Sequence, residues 1–130
     1  MFTLQSISEA HSKVNSGADF PKYIQELITL GVTHYETFVD DGHTKFYGID
    51  NYEITSSPKH TSLIINEISN ELQFKSQLKA HQQGQTSFTT FCQDCAQTGV
   101  FKWVVSMNTM TCTYYNKAQK ELLMEFIPKP

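Results

Sequence analysis

The sequence predicts an α+β domain made of two copies of one helix–helix–β–β–β unit. Three observations carry this. First, laid without a gap, residues 20–47 fall on 88–115, a displacement of 68 (88 − 20). Phe20/Phe88, Gln25/Gln93, Gly31/Gly99, Val32/Val100 and Tyr47/Tyr115 are identical, and Tyr23/Phe91, Glu26/Asp94, Tyr35/Trp103, Asp40/Asn108 and Phe46/Tyr114 keep their character. Second, within each copy the apolar spacing changes at the glycine from a helical to an alternating period. Third, 9 Phe, 6 Tyr and 1 Trp in 130 residues supply one domain's core.

The first unit, about 2–55, opens with Leu4, Ile7, His11 and Val14 on one helical face, closed by Asn15-Ser16-Gly17. A second helix starts at Asp19, read as its N-cap, with Pro21 tolerated in the first turn, where its missing N–H has no intrahelical partner. Phe20, Tyr23, Ile24, Leu27 and Ile28 form its stripe, and Gly31 supplies a left-handed stop. Tyr35, Thr37 and Val39 then alternate with His34, Glu36 and Phe38. Asp41-Gly42 signals a type I′ hairpin, Thr44–Tyr47 returns, and Tyr52–Ile54 is a third strand.

The second unit, about 71–127, repeats the order. A helix from Leu72 or Phe74 to His81 is followed by the loop Gln82–Thr86 and a Ser87 cap. Phe88, Phe91, Cys92, Cys95 and Ala96 form the next apolar face, which Gly99 ends. Strands are expected at Val100–Met107, Thr111–Tyr115 and Leu122–Ile127. In the connector, about 56–70, Leu63, Ile64, Ile65 and Ile68 fit either a short strand or a buried helical turn. A pseudo-two-fold with helices on one side of antiparallel sheet follows; whether the strands form one sheet is open at this level.

The runs SGADFPKYIQELITLGVTHYETFVDDGHTKFYG (Ser16–Gly48), HQQGQTSFTTFCQDCAQTGVFKW (His81–Trp103) and MTCTYYNKAQ (Met110–Gln119) resemble the YbcV-like proteins, a bacterial and prophage family often labelled "phage envelope protein". That resemblance implies a small α+β domain of bacterial or mobile-element origin, with no established activity and no catalytic residues to carry over.

Net charge of −3 argues against a nucleic-acid or anionic-membrane partner. No apolar run approaches the roughly 20 residues of a membrane span. Met1–His11 lacks the pattern of a signal peptide. With an odd count of 3 Cys, the expected setting is a reducing cytoplasm.

Two constellations could carry function. Cys92 and Cys95 place two thiols on one helical face, as in redox dithiols or half a zinc site. Cys112 and His81 would complete a Cys3His set, the one zinc arrangement weighed; no other cofactor is expected. The repeat favours a plainer reading, since the counterparts of Cys92 and Cys95 are the core positions Ile24 and Leu27. The second constellation is His81, Gln82, Gln83, Gly84, Gln85 and Thr86, an imidazole, three amides and a hydroxyl leading into a helix N-terminus. It suits ligand contact or a solvated turn. On the first hairpin, His34, Glu36, Asp40, Asp41 and His43 suggest a metal or acid/base site. With Asp40 paired to His43 and His34 roughly 20 Å down the strand, however, the set is too spread to converge, and turn chemistry accounts for Asp41-Gly42. Tyr35/Trp103 and Tyr47/Tyr115 read as core aromatics, and His60 as solvated.

The expectation is a non-catalytic binding or interaction domain. Its contact surface would be the His81–Thr86 loop, and its partner a protein, a small ligand or a second copy of itself. The alternative is a thiol- or metal-dependent activity at Cys92 and Cys95 with His81 as base or ligand.

Overall fold

A computed structural model describes residues 1–130. The chain runs α1 (Leu4–His11), a 3₁₀ turn (Gly17–Asp19), α2 (Phe20–Leu30), β1 (Val32–Phe38), β2 (Thr44–Gly48), β3 (Glu53–Thr55), α3 (Glu71–Gln82), α4 (Phe88–Gln97), β4 (Lys102–Ser106), β5 (Thr111–Tyr115) and β6 (Glu121–Phe126). The six strands form one antiparallel sheet in the order β3-β2-β1-β4-β5-β6, with the helices packed on one face.

The internal duplication dictates this order. β1 pairs with β4 so that Tyr35 faces Val105, Glu36 faces Val104 and Thr37 faces Trp103. Glu36 and Val104 are equivalent residues of the two copies (104 − 36 = 68), so a pseudo-two-fold axis passes through that pair. In the helix layer Ser16 and Gly84 are also equivalent (84 − 16 = 68). There a Cβ built on Gly84 would lie 3.4 Å from that of Ser16, and one built on Gly17 would strike the Gln82 carbonyl. The axis therefore runs through both layers.

Backbone conformation repeats as well. Gly31 and Gly99 both take the left-handed region, with φ of 101° and 86°, and close α2 and α4 before the strands. Gly42 has φ of 77° and its equivalent Met110 has 53° (110 − 42 = 68). This replaces the expected type I′ turn. That turn needs left-handed residues at both Asp41 and Gly42 and would pair Asp40 with His43. Instead the Phe38 N–H bonds to the His43 carbonyl at 2.9 Å, closing a four-residue loop in which Gly42 alone is left-handed.

Other local expectations shift. Asp19 does not cap α2. It ends the 3₁₀ turn, and its carboxylate accepts from the Asn15 N–H at 2.9 Å, while Ser16 caps that turn by accepting from the Ala18 N–H. Ser87 does cap α4, accepting from the Thr90 N–H at 3.2 Å. α1 stops at His11, and Ile28 lies at the rim of its stripe, 40% exposed. Residues 56–70 form neither strand nor helix. They are held by Asn66 and Asn70 N–H groups donating to the Ala96 and Thr98 carbonyls, with Ile65 buried and Ile64 exposed.

The core lies between the layers. Ile24 and Leu27 of α2, and Cys92 and Cys95 of α4, are fully buried above Tyr35, Phe46, Val105, Cys112 and Tyr114 of the sheet. Gly17→Ala drives a methyl into the Gln82 backbone, and overpacking of this kind costs about 1–3 kcal/mol. Urea titration should show that loss, whereas Ile64→Ser should stay within about 0.5 kcal/mol.

Candidate functional site

Strand alternation sends Tyr35, Thr37, Phe46, Val105, Cys112 and Tyr114 towards the helices, so their neighbours in sequence face the other way. That second sheet face carries no helix. Across it, register places Tyr47 beside His34, Lys45 beside Glu36, and Tyr115 beside Lys102. The His34 and Tyr47 rings stack at 4.3 Å and 5°. Lys102 Nζ sits 5.6 Å from the Tyr115 ring centroid and 5.9 Å from that of Phe38, and Glu36 lies 3.9 Å away. Since His34 and Lys102 are equivalent, as are Tyr47 and Tyr115, each unit lays a basic side chain on the same tyrosine. Lys102 is only 15% exposed although nothing covers it, because two rings and a carboxylate enclose its stem and ammonium.

At one end of this face is the β1–β2 loop. His43 stacks on Phe38 at 4.6 Å and donates from Nδ1 to the Asp41 carboxylate at 2.5 Å. Partial burial pushes the Asp41 carboxyl up, but the hydrogen bonds from His43 outweigh it and hold the carboxyl below its usual range. Asp40, Asp41 and His43 bring one ligand atom each to within 4.8 Å of one another. An oxygen-rich set with one imidazole could chelate a divalent ion. This corrects the sequence expectation twice. The hairpin residues do converge, without His34 and Glu36, and the metal-like set is Asp/Asp/His rather than Cys92, Cys95, Cys112 and His81.

The cysteines take up core positions. All three are free thiols, Cys92 and Cys95 have no exposed surface, and Cys112 is buried on β5. Burial pushes Cys92 and Cys112 up to about 12 and Cys95 well above its usual value, the reverse of what a nucleophile or a thiolate ligand needs. His81 stacks on Phe91 at 4.2 Å, and its Nδ1 lies 3.0 Å from the Thr86 hydroxyl and 3.1 Å from its carbonyl. Gln82 donates to Glu125 at 2.9 Å, and Gln85 to Gln83 at 3.2 Å. Gly84 packs on Ser16. The His81–Thr86 segment thus joins the two units, with His81 Nδ1 bonded within the segment. His60 is partly buried rather than solvated, its Nε2 enclosed beside Gly42.

Tyr47 and Tyr115, read from sequence as core, lie on the open face. Parity was the available signal: with Phe46 and Tyr114 inward, the next residue on each strand points outward.

The fold and this face define an internally duplicated α+β domain with one sheet surface that carries no helix. The chain belongs to the family described as protein of unknown function (DUF1398), whose model matches residues 8–126. That match overturns the resemblance to the YbcV-like proteins, because the family model assigns the chain elsewhere. No curated protein matches the chain. No helix is long and apolar enough to cross a membrane.

Two predictions follow from this geometry. Native protein should react with maleimide orders of magnitude more slowly than guanidinium-unfolded protein, and Cys92→Val should still fold. Burial holds His81 and His11 below the usual histidine range, with Lys59 adding to the effect at His11. A lowered folded-state value gives stability that is full above the unfolded value of about 6.5 and is lost as pH falls through the folded one. The melting temperature should therefore drop between about pH 7.5 and 5. His81→Phe, which keeps the stacking, should flatten that drop.

Proposed function

We propose that this domain is a non-catalytic binding module that engages a protein partner through the open face of its sheet. The observation that carries the reading is Lys102, held between Phe38, Tyr115 and Glu36 on a surface that nothing covers. A lysine already immobilised among aromatic rings loses little freedom on binding, and this lowers the cost of forming a contact. The rings of Tyr47 and Tyr115 offer broad amphipathic area, the type enriched at interfaces. Glu36 and Glu53 stand close enough to Tyr47 that, after burial, their charges raise its hydroxyl. Carboxylates of this kind, with a net charge of −3, favour a protein partner over a polyanion.

A photocrosslinking residue at Tyr115, in bacterial cells expressing the chain, should capture one discrete partner. The same residue at Gln25 on the outer side of α2 should capture none. Lys102→Glu should abolish capture from Tyr115 while leaving the melting temperature nearly unchanged. Equal capture from both positions, or capture indifferent to Lys102→Glu, overturns the reading.

A divalent cation on Asp40, Asp41 and His43 is the second reading, supported by the convergence of their ligand atoms. Zinc titration should move the amide resonances of the 40–43 loop, and Asp41→Asn should remove the effect. Unmoved resonances would dismiss it.

A further inference from the structure

Each sheet edge is the third strand of a unit, yet the two edges differ. β3 has three residues, after which Ser56-Ser57-Pro58 leads the chain into the connector. The equivalent tripeptide of the second unit is Met124-Glu125-Phe126 (124 − 56 = 68), which carries β6 on to six residues. The Ile127 N–H donates to the Met110 carbonyl at 2.8 Å. Backbone groups alternate in direction along an antiparallel strand, so Leu123 and Glu125 also turn theirs towards β5. Those of Met124 and Phe126 point away from the sheet and make no bond beyond it. Their side chains are 39% and 73% exposed. Glu121–Phe126 contains neither proline nor lysine, two of the usual protections of an open edge; its one irregularity is a bulge at Leu122, and Leu123–Phe126 pair regularly with β5.

We infer that β6 is a self-association edge, occupied by β6 of a second copy of this chain running antiparallel about a two-fold axis normal to the sheet. The same operation already exists inside the molecule, where β1 and β4 join two like units about such an axis. Repeated at β6, it doubles the sheet and keeps both helix layers on one side. The short, proline-ended β3 edge offers no second contact, so assembly closes at two copies instead of growing into a filament.

Charge selects the register. Residues directly opposite one another share a face, so one residue of β6 must oppose its own symmetry mate. With Leu123 on the axis, Glu121 opposes Glu125 twice, and with Glu125 on the axis two carboxylates oppose each other. Met124 on the axis sets no carboxylate against another. It places Glu125 across from Leu123, within the regular part of the strand, and joins the outward N–H and C=O groups of the two Met124 residues.

Sedimentation equilibrium over a wide concentration range should show monomer and dimer and nothing larger. Met124→Pro removes an outward N–H without breaking the β5 ladder, and should give a folded monomer whose melting temperature matches that of the unaltered chain diluted to its monomeric form. Opposed Met124 positions at about 5.5 Å between Cα atoms suit a disulfide, so Met124→Cys should form a covalent dimer on mild oxidation. Glu9→Cys on α1 should not. A monomer at every concentration, or a dimer that persists in folded Met124→Pro, overturns the inference. Should Met124→Pro unfold, failure of Met124→Cys to cross-link overturns it instead.

Discussion

The antiparallel pairing of β1 with β4 is the constraint on which the rest of this structure depends. It is the seam between two units, neither of which closes its sheet alone, and it places Tyr35, Thr37, Trp103 and Val105 under the helices together. Because side chains alternate, a slip of one residue at this seam would put the strands out of phase, turning either Tyr35 and Thr37 or Trp103 and Val105 outward and bringing His34 and Glu36, or Lys102, into the core. Burial of the aromatic pair therefore holds the register, and the register holds the axis. The contact of the 15–17 and 82–84 segments in the helix layer is the second point at which that axis is pinned.

Two copies under one axis were free to diverge wherever the axis does not act. Where the first unit has Ile24 and Leu27, the second has Cys92 and Cys95, equally buried, since a thiol packs as a small hydrophobe. The first unit carries acids and an imidazole in its hairpin loop, where the second has Asn108 and Thr109 at the places matching Asp40 and Asp41. What both kept on the open face is a basic side chain against a tyrosine: His34 on Tyr47, and Lys102 beside Tyr115. That shared pair connects the duplication to the surface proposed for binding.

Much of the fold was legible in the residues. Gly31 and Gly99, each followed by valine, marked the change from helix to strand, and Ser87 marked the start of α4. Asp19 misled because its carboxylate had a nearer donor in the Asn15 N–H. Asp41-Gly42 misled because a four-residue loop can satisfy one left-handed glycine as readily as a two-residue turn satisfies two. The candidate site was less legible. His81 and its glutamines are conspicuous in sequence, but their partners, Phe91, Thr86, Glu125 and Ser16, were visible only once the helices and sheet had been assembled. Lys102 carries no signal in the sequence, since a single lysine in a strand acquires meaning from the rings of neighbouring strands.

The sequence by itself determined the duplicated α+β plan, the positions of the helices and strands, and the core character of Cys92 and Cys95. These rest on local periodicity, on left-handed glycines and on comparison of one copy with the other, all short-range properties. Only the tertiary structure decided that six strands form one sheet, that Asp40, Asp41 and His43 converge, and that Tyr47 and Tyr115 look outward. Each of those depends on which strand lies beside which, and that pairing is set by burial summed over the whole domain.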